Sequence, residues 1–370
     1  MDTRNVSLKE ALSEIPEFRQ AQGRRYELLS ILLLACVAML CGARSESAIA
    51  DWGTNYGSKW LRRLGIKRRT SPSQPTIHRI FKQLDAVAVE RAISNWAASV
   101  LGEPRPLEGV AIDGKALRGS IKQGALNAYL LSAVSHRLMT VLAQVAVADR
   151  SNEIGQMDDL IKELALSCLV VTADAMHTQV ATAEAIIEAS GDYLMIVKEN
   201  QPTLKREIEL VFETTTLADT IRLASSTTTH GSRIETRAIA VSDAMHGLSN
   251  WPGLHQVMKL ERTVINKTTG EIREESVYGV TSLSPPRARP DQLNDLWRGH
   301  WTIENKLHWV RDVTFDEDRS QVRCGNAPQI MAAFRNLAIS ALRLRNVTNI
   351  AAALRRYAAQ PALAFTAIGI

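Results

Sequence analysis

The hydrophobic pattern of residues 1–100 predicts a helical region. Residues 28–43, LLSILLLACVAMLCGA, carry no charge and follow two arginines, so they resemble a signal peptide or a short membrane span. The stretch starts far from residue 1 and is shorter than the roughly 20 apolar residues that a span requires. A basic segment follows it. We therefore predict a buried helix and no membrane contact.

The spacing of apolar positions changes in the middle of the chain. Residues 107–113 predict a strand that delivers Asp113 to its end, and residues 168–174 predict a buried strand that ends at Asp174. Two further apolar strands flank a turn near His136, and stretches with helical spacing lie between the strands. This order of elements predicts an α/β fold with a mixed sheet flanked by helices.

A third pattern covers residues 226–284, where threonine and valine alternate with polar residues around turn signals such as KTTGE. This pattern predicts a small β-rich insertion. We expect two domains. An N-terminal helical domain occupies residues 1–100, and an α/β domain that contains the insertion occupies residues 101–370.

Composition narrows the class of protein. The chain is 45% hydrophobic and 22% charged, which is ordinary for a globular protein and excludes disordered and fibrous chains. The four cysteines lack CxxC spacing, so the sequence indicates neither a disulfide framework nor a zinc ribbon, and we expect a cytoplasmic protein. A net charge of +5 favours an anionic partner.

The positive charge is concentrated in residues 51–84, where Asp51 is the only acid. Pro75 suits the first turn of a helix whose apolar residues would face inward and whose basic residues would face outward. A short basic helix after a turn is the outline of a helix-turn-helix DNA reader, and the alternative is a basic surface of a helical bundle. The DNA contacts predicted here are Arg68, Arg69, Arg79 and Lys82.

Three carboxylates have positions that favour metal chemistry. Asp113 and Asp174 each end an apolar strand, although either residue alone is more often a helix cap or a turn residue. Together with Glu304 they form a set of hard oxygen ligands, which suit Mg²⁺ or Mn²⁺ rather than zinc. Two such ions about 3.5 to 4 Å apart support in-line phosphoryl transfer.

Glu304 lies in HWTIENKLHW, residues 300–309. If this stretch is an α-helix, residues four and seven apart share one face. A solvated charged stripe would explain any one of these residues, but an aromatic, an imidazole, a carboxylate and a guanidinium together favour phosphate or metal binding. The predicted face contains Trp297, His300, Glu304, His308 and Arg311.

Motifs along nearly the whole chain resemble one family, the Asp-Asp-Glu transposases of bacterial insertion sequences that include the H-repeat-associated proteins. The motifs are AIDGKALRGS, RSNEIGQMDDL, VTADAMHTQ, VKENQPTL, HGSRIETR and HWTIENKLHWVRDVTFDED. The resemblance implies a ribonuclease H-like core, with Asp113, Asp174 and Glu304 as a metal-binding catalytic triad. It also implies cleavage and strand transfer of DNA by a homo-oligomer that binds the element's terminal inverted repeats and target DNA in the nucleoid.

The wider superfamily has Tyr, Arg and Lys at fixed distances around the third acid, where this chain has Trp297, His300 and Arg311. The resemblance therefore implies base stacking by the indole and phosphate binding by the cations. Lys198 follows a predicted strand and would hold the DNA backbone, with a solvated turn as the alternative. His177 would orient a ligand or serve only structure.

Two other functions stay open. A catalytically silent DNA-binding protein descended from a transposase would need no intact triad, and all three acids argue against it. A zinc-dependent hydrolase would use His300, Glu304 and His308, together with Asp174 and His177. The two histidines flanking Glu304 are further apart than the i, i+4 pair of a helical zinc site.

Overall fold

The computed structural model describes residues 6–103, 105–121, 129–147, 153–164 and 166–370. The motif RSNEIGQMDDL begins outside these residues. The chain divides into two compact units. Unit 1 comprises Met1–Glu103, Gly114–Leu164 and Thr302–Ile370, and unit 2 comprises Pro104–Asp113 and Ala165–Trp301.

Several helices have a proline in the first turn, as predicted for Pro75. The helices are α1 (Leu8–Ser13), α2 (Leu28–Leu40), α3 (Glu46–Arg63), α4 (Gln74–Gln83), α5 (Ala86–Leu101), α6 (Arg118–Ile121), α7 (Glu153–Glu163), α8 (Val180–Glu188), α9 (Pro202–Glu213), α10 (Pro290–His300), α11 (Ala327–Arg343), α12 (Ile350–Ala359) and α13 (Ala362–Ala367).

The strands follow the predicted order. They are β1 (Glu108–Ala116), β2 (Tyr129–Ser135), β3 (Val141–Val147), β4 (Leu169–Ala173), β5 (Asp192–Val197), β6 (Arg222–His230), β7 (Arg233–Ser242), β8 (Gln256–Asn266) and β9 (Ile272–Thr281). Strands and helices are interspersed, so the prediction of an α/β fold is confirmed.

The apolar segment near the N-terminus forms α2, whose side chains are buried in unit 1. This confirms the prediction of a buried helix. Among the described residues, no helix is long and apolar enough to cross a membrane.

The basic helix predicted after Pro75 is α4. Ile77 and Phe81 are buried, and the Phe81 ring stacks on Phe334 of α11 with ring centroids 5.8 Å apart. Arg79 and Lys82 are exposed on the opposite face, so the predicted orientation of the helix is confirmed. Because α4 packs on α11 within unit 1, helices from both ends of the chain share a core. The division into residues 1–100 and 101–370 stays a prediction.

Unit 2 is built on a mixed sheet with strand order β1-β4-β5-β9-β8-β7-β6. β4 pairs in parallel with β1 and with β5, and β9 pairs antiparallel with β5. The stretch predicted to be β-rich forms β6 to β9, and its four strands continue the sheet of β1, β4 and β5. Its first strand begins at Arg222. Its origin as an insertion stays a prediction. In unit 1, β2 and β3 form an antiparallel pair.

Candidate functional site

Asp113 and Asp174 lie side by side in unit 2. The parallel pairing of β1 with β4 runs as far as Ile112 opposite Ala173. Asp113 is the next residue of β1, and Asp174 is the residue that follows β4. Neighbouring strands are about 4.8 Å apart, and residues opposite each other in a parallel pair point to the same face. The backbone register therefore brings together the first two predicted carboxylates.

Asp174 also caps a short 3₁₀ turn, Ala175–His177. Its Oδ1 accepts hydrogen bonds from the backbone N–H groups of Met176, at 3.1 Å, and His177, at 3.4 Å. The carboxylate of Asp174 is thus a helix cap, as the alternative interpretation of a lone aspartate expected, and it is also the neighbour of Asp113. These bonds fix the orientation of the side chain at the end of β4.

His177 is fully buried next to this pair. Within the described ranges, neither ring nitrogen has a hydrogen-bond partner. Burial lowers the pKa of His177, and the charges of Asp174 and Asp113 act in the opposite direction. Burial therefore favours the neutral form of this imidazole beside the two carboxylates.

His300 closes α10 and is buried on the same side of unit 2. Its Nδ1–H donates to the backbone carbonyl of Thr172, at 3.2 Å, and burial lowers its pKa while the charges of Asp113 and Asp174 raise it. His300 therefore anchors α10 to β4, next to the aspartates. A phosphate contact was predicted for His300, and in this structure the imidazole is instead a buried anchor.

Trp297 is 1% exposed and belongs to the core that packs α10 on the sheet. The approach is so close that a Cβ added to Gly279 of β9 would lie 2.7 Å from the indole. The indole was predicted to stack on a base. Here it fills the core, because the apolar face of α10 needs a large side chain above Gly279.

The helix predicted around Glu304 is not a continuous α-helix. After α10 ends, residues Ile303–His308 and Val310–Thr314 of unit 1 are π-helical, with i→i+5 hydrogen bonds. We call residues 303–314 the π segment. Glu304 is exposed, and His308 is buried. The prediction of one α-helical face is therefore wrong, because the wider π turn changes which residues align.

Arg311, in the π segment, is completely buried in an ionic cluster. Its Nε donates to Oε2 of Glu317 at 2.7 Å, and Nη1 of Arg335 donates to the other carboxylate oxygen at 2.8 Å. Burial disfavours the charge on Glu317, but the two guanidinium groups hold its pKa at about 2. Arg311 was predicted to bind DNA phosphate, and its charge is used here to fix the π segment.

Two further ion pairs tie the same region of unit 1 to Lys115, near the end of β1, and to Arg118, at the start of α6. Lys115 Nζ lies 2.6 Å from Oδ1 of Asp312, and Arg118 pairs with Asp318 at 3.3 Å. Sequence reasoning missed the acids of the motif VRDVTFDED and their buried partner Arg335. The high density of acids in that motif was the signal that could have indicated an ionic cluster. The basic partners of these acids could not be identified, because they are distant in sequence.

The remaining predicted DNA contacts are exposed. Lys198 follows β5, and the adjacent Asn200 donates its side-chain N–H to the backbone carbonyl of Thr178 at 3.2 Å. Asn200 therefore fixes this loop to the turn after Asp174, and Lys198 points its charge to solvent. The other exposed cations are Arg68, Arg69, Arg79 and Lys82.

In the part of the chain that the structure describes, no group of three or more His, Cys, Asp or Glu side chains is arranged to hold a metal ion. The paired carboxylates of Asp113 and Asp174 nevertheless fit a divalent cation by their chemistry. They are hard oxygen donors on adjacent strands, and Mg²⁺ commonly binds one or two carboxylates and completes its shell with water and substrate phosphate.

Comparison with known proteins gives the class. A family model described as "Transposase DDE domain" matches residues 104–341, and one described as "DDE_Tnp_1-associated" matches residues 9–97. The chain belongs to the DDE transposase family.

Curated relatives agree with this assignment. "Putative transposase YncI" of Escherichia coli O157:H7 is 32% identical over 91% of this chain and 87% of that protein. "H repeat-associated putative transposase YhhI" of Escherichia coli strain K12 is 30% identical over 90% of both chains.

Among solved structures, the piggyBac transposase in a synaptic complex with hairpin DNA aligns with a TM-score of 0.43 and 13% identity, over 99% of this chain and 80% of that chain.

Proposed function

We propose that this transposase cleaves DNA strands at the ends of an insertion sequence and joins the resulting 3′-hydroxyl to target DNA. The observation that carries the proposal is the register of β1 and β4, which sets Asp113 beside Asp174 within a chain of the DDE transposase family. Glu304 is proposed as the third carboxylate, because it is exposed on the π segment and follows the two aspartates in chain order.

Asp113, Asp174 and Glu304 would hold Mg²⁺ or Mn²⁺. When bound, the divalent cation activates the attacking oxygen and stabilises the charge on the leaving oxygen. The cap bonds of Asp174 keep its carboxylate oriented before substrate arrives, so little ordering is needed on binding. His177 is buried at the end of β4, and neither of its ring nitrogens has a hydrogen-bond partner among the described residues, so we propose that it orients a ligand of the cation.

The exposed cations bind the DNA backbone in this proposal. Arg68 and Arg69 precede α4, and Arg79 and Lys82 lie on its exposed face, so they form a basic surface for the terminal inverted repeats. Lys198 contributes one further phosphate contact. Such contacts release counterions, so binding weakens steeply with salt. We further propose that copies of the chain assemble as a homo-oligomer when two DNA ends are joined.

The test compares the native chain with Glu304→Gln on DNA carrying the element's own ends, in Mg²⁺ or Mn²⁺. We expect equal DNA binding and a loss of strand cleavage of roughly 10³-fold or more, since a catalytic metal site contributes several kcal/mol. Glu274→Gln, which removes an exposed carboxylate of β9, is the matched control and should cut normally.

Two results would contradict the proposal. Cutting by Glu304→Gln at the native rate would place the active site elsewhere. A native chain that binds the ends but cuts under neither metal would favour the silent DNA-binding protein.

A further inference from the structure

The described part of unit 1 contains a cleft of about 500 Å³ that none of the predicted site residues lines. It lies where α5, β3, α7 and α11 meet, and its walls come from within residues 85–94, 144–146, 156–163 and 326–329. Small-molecule sites in proteins commonly have volumes of roughly 300 to 1,000 Å³. The cleft is therefore large enough for a ligand that takes no part in the proposed DNA chemistry.

Glu90 of α5 lines this cleft and is 7% exposed. Its Oε1 accepts hydrogen bonds from Nε2 of Gln144, at 2.8 Å, and from Nε2 of Gln329, at 3.0 Å. Within the described ranges, no donor bonds Oε2 and no Lys, Arg or His side chain forms an ion pair with the carboxylate. Buried glutamates are usually paired, so Glu90 has the capacity for one more partner.

The Gln144 amide has a fixed orientation, because hydrogen bonds hold its oxygen. Its Oε1 accepts from Nδ2 of Asn336 at 2.7 Å and from the hydroxyl of Ser132 at 3.2 Å. The N–H end of the amide is thereby directed to Glu90, where it can only donate. The surrounding network therefore supplies Glu90 with donors at Oε1 and leaves Oε2 for a group that enters the cleft.

The cleft has an excess of negative charge. Its acids are Asp85, Glu90, Asp159 and Glu163, and its cations are Arg91 and Lys162. Lys162 Nζ lies 4.0 Å from Oδ1 of Asp159, so part of the positive charge is offset within the cleft. Carboxylates in excess repel DNA phosphate and attract organic cations. The charge of the lining therefore favours a cationic ligand over a nucleic-acid backbone.

We propose that this cleft binds a small organic cation, whose guanidinium or ammonium group donates to Oε2 of Glu90. The aliphatic part of the ligand would lie against the apolar side chains of Ala86, Val87, Val145 and Ala146. The inference is independent of the proposed role of Glu304. Because α5 falls within the region matched by the associated-domain model and β3 and α11 within that matched by the transposase model, the ligand would bridge the two matched regions.

The first measurement is calorimetric titration of the full-length chain with agmatine at pH 8, without DNA or divalent metal. Agmatine has a guanidinium group on a short aliphatic chain, and butylurea is a neutral planar analogue of that end. We expect agmatine to bind at least about tenfold more tightly than butylurea, because hydrogen bonds to a charged partner are the stronger ones.

The affinity for agmatine should depend on pH through Glu90. Burial raises the pKa of Glu90 to about 7, against the hydrogen bonds from Gln144 and Gln329. The carboxylate is therefore charged at pH 8 and takes up a proton as the pH falls, so agmatine should bind about tenfold or more weakly at pH 5.5. The other charged groups that face Glu90 or the cleft are Asp85, Arg91, Asp159, Lys162, Glu163 and Arg311.

Glu90→Gln assigns the effect to this carboxylate. Glutamine keeps the shape and still accepts from both amides, so the variant should fold and unfold in urea at the same concentration as the native chain or a higher one, since burial disfavours the charge that it lacks. It should bind agmatine at least about tenfold more weakly and without the pH dependence. Glu163→Gln is the matched control, because it removes an exposed carboxylate of the same cleft, and its loss should stay below about threefold.

Three results would overturn the inference. A native chain that binds no agmatine at millimolar concentration has a cleft filled by water only. Equal binding of agmatine and butylurea would exclude recognition of the positive charge. Native affinity in Glu90→Gln, or an equal loss in Glu163→Gln, would exclude Glu90 as the group that binds the cation. None of these results bears on cleavage by Glu304→Gln, so failure of this inference is separable from failure of the proposed function.

Discussion

The strand edge that carries Asp113 and Asp174 and the π segment that carries Glu304 hold their carboxylates by different means. At the strand edge, the parallel backbone register sets the two aspartates side by side. In the π segment, no sheet fixes the backbone, and a buried cluster of Arg311, Glu317 and Arg335 does so instead.

The difference has a consequence for robustness. A backbone register depends on many hydrogen bonds and survives the loss of any one side chain. A buried ionic cluster depends on complete pairing, because each charge that loses its partner keeps the full cost of its burial. We therefore expect the π segment to be the more vulnerable of the two regions, and the predictions below compare them.

The largest effect is expected from Glu317→Gln, in the π segment's ionic cluster. The change leaves two buried guanidinium groups without a countercharge, so it should lower the free energy of unfolding by about 3 to 5 kcal/mol. Urea denaturation of the native and variant chains measures the difference. A loss below about 0.5 kcal/mol would show that the cluster does not stabilise unit 1.

Acid titration gives a second readout for Glu317. Its folded pKa of about 2 is below its ordinary value of 4.5, so its stabilisation is complete above pH 4.5 and is lost as the pH falls towards 2. The Gln variant should lack this part of the acid dependence. Glu271→Gln, which removes a surface partner of Arg273, is the control and should behave like the native chain.

An intermediate effect is expected from Gly279→Ala, on the side of the strand edge. The added methyl group would lie 2.7 Å from the indole of Trp297 and 3.0 Å from the carbonyl of Met195, so it overpacks the contact between α10 and the sheet. We expect a loss of about 1 to 3 kcal/mol in thermal or urea unfolding. Gly155→Ala is the control, because a Cβ at Gly155 meets no atom within 4 Å. Gly270→Ala is unsuitable as a control, because Gly270 has a positive φ.

The smallest effect on stability is expected at Asp174, where two substitutions separate capping from chemistry. Asparagine caps helices about as well as aspartate, whereas alanine removes the cap at a cost of about 1 kcal/mol. Asp174→Asn should therefore unfold like the native chain and yet lose DNA cleavage, while Asp174→Ala loses both. If Asp174→Asn cleaves DNA at the native rate, Asp174 serves only as a helix cap and takes no part in catalysis.

Sequence patterns predicted the strand edge and only part of the π segment. Strand periodicity is local, so Asp113 and Asp174 were found together with their strands. The pairing of β9 with β5 joins residues far apart in the chain, so local patterns did not predict that the β-rich stretch continues the sheet. Spacing rules could not predict the π turns, because those rules assume 3.6 residues per turn.

The π turn between Glu304 and Trp309 also sets how this stretch responds to a change in length. A π turn contains one residue more than an α turn, so deleting one residue there would convert the turn into an α-helix and leave Arg311 close to its present orientation towards Glu317. The same deletion within an α-helix turns every later side chain by about 100° about the axis. Among related chains, a one-residue gap in this stretch should therefore be tolerated better than the same gap in α10.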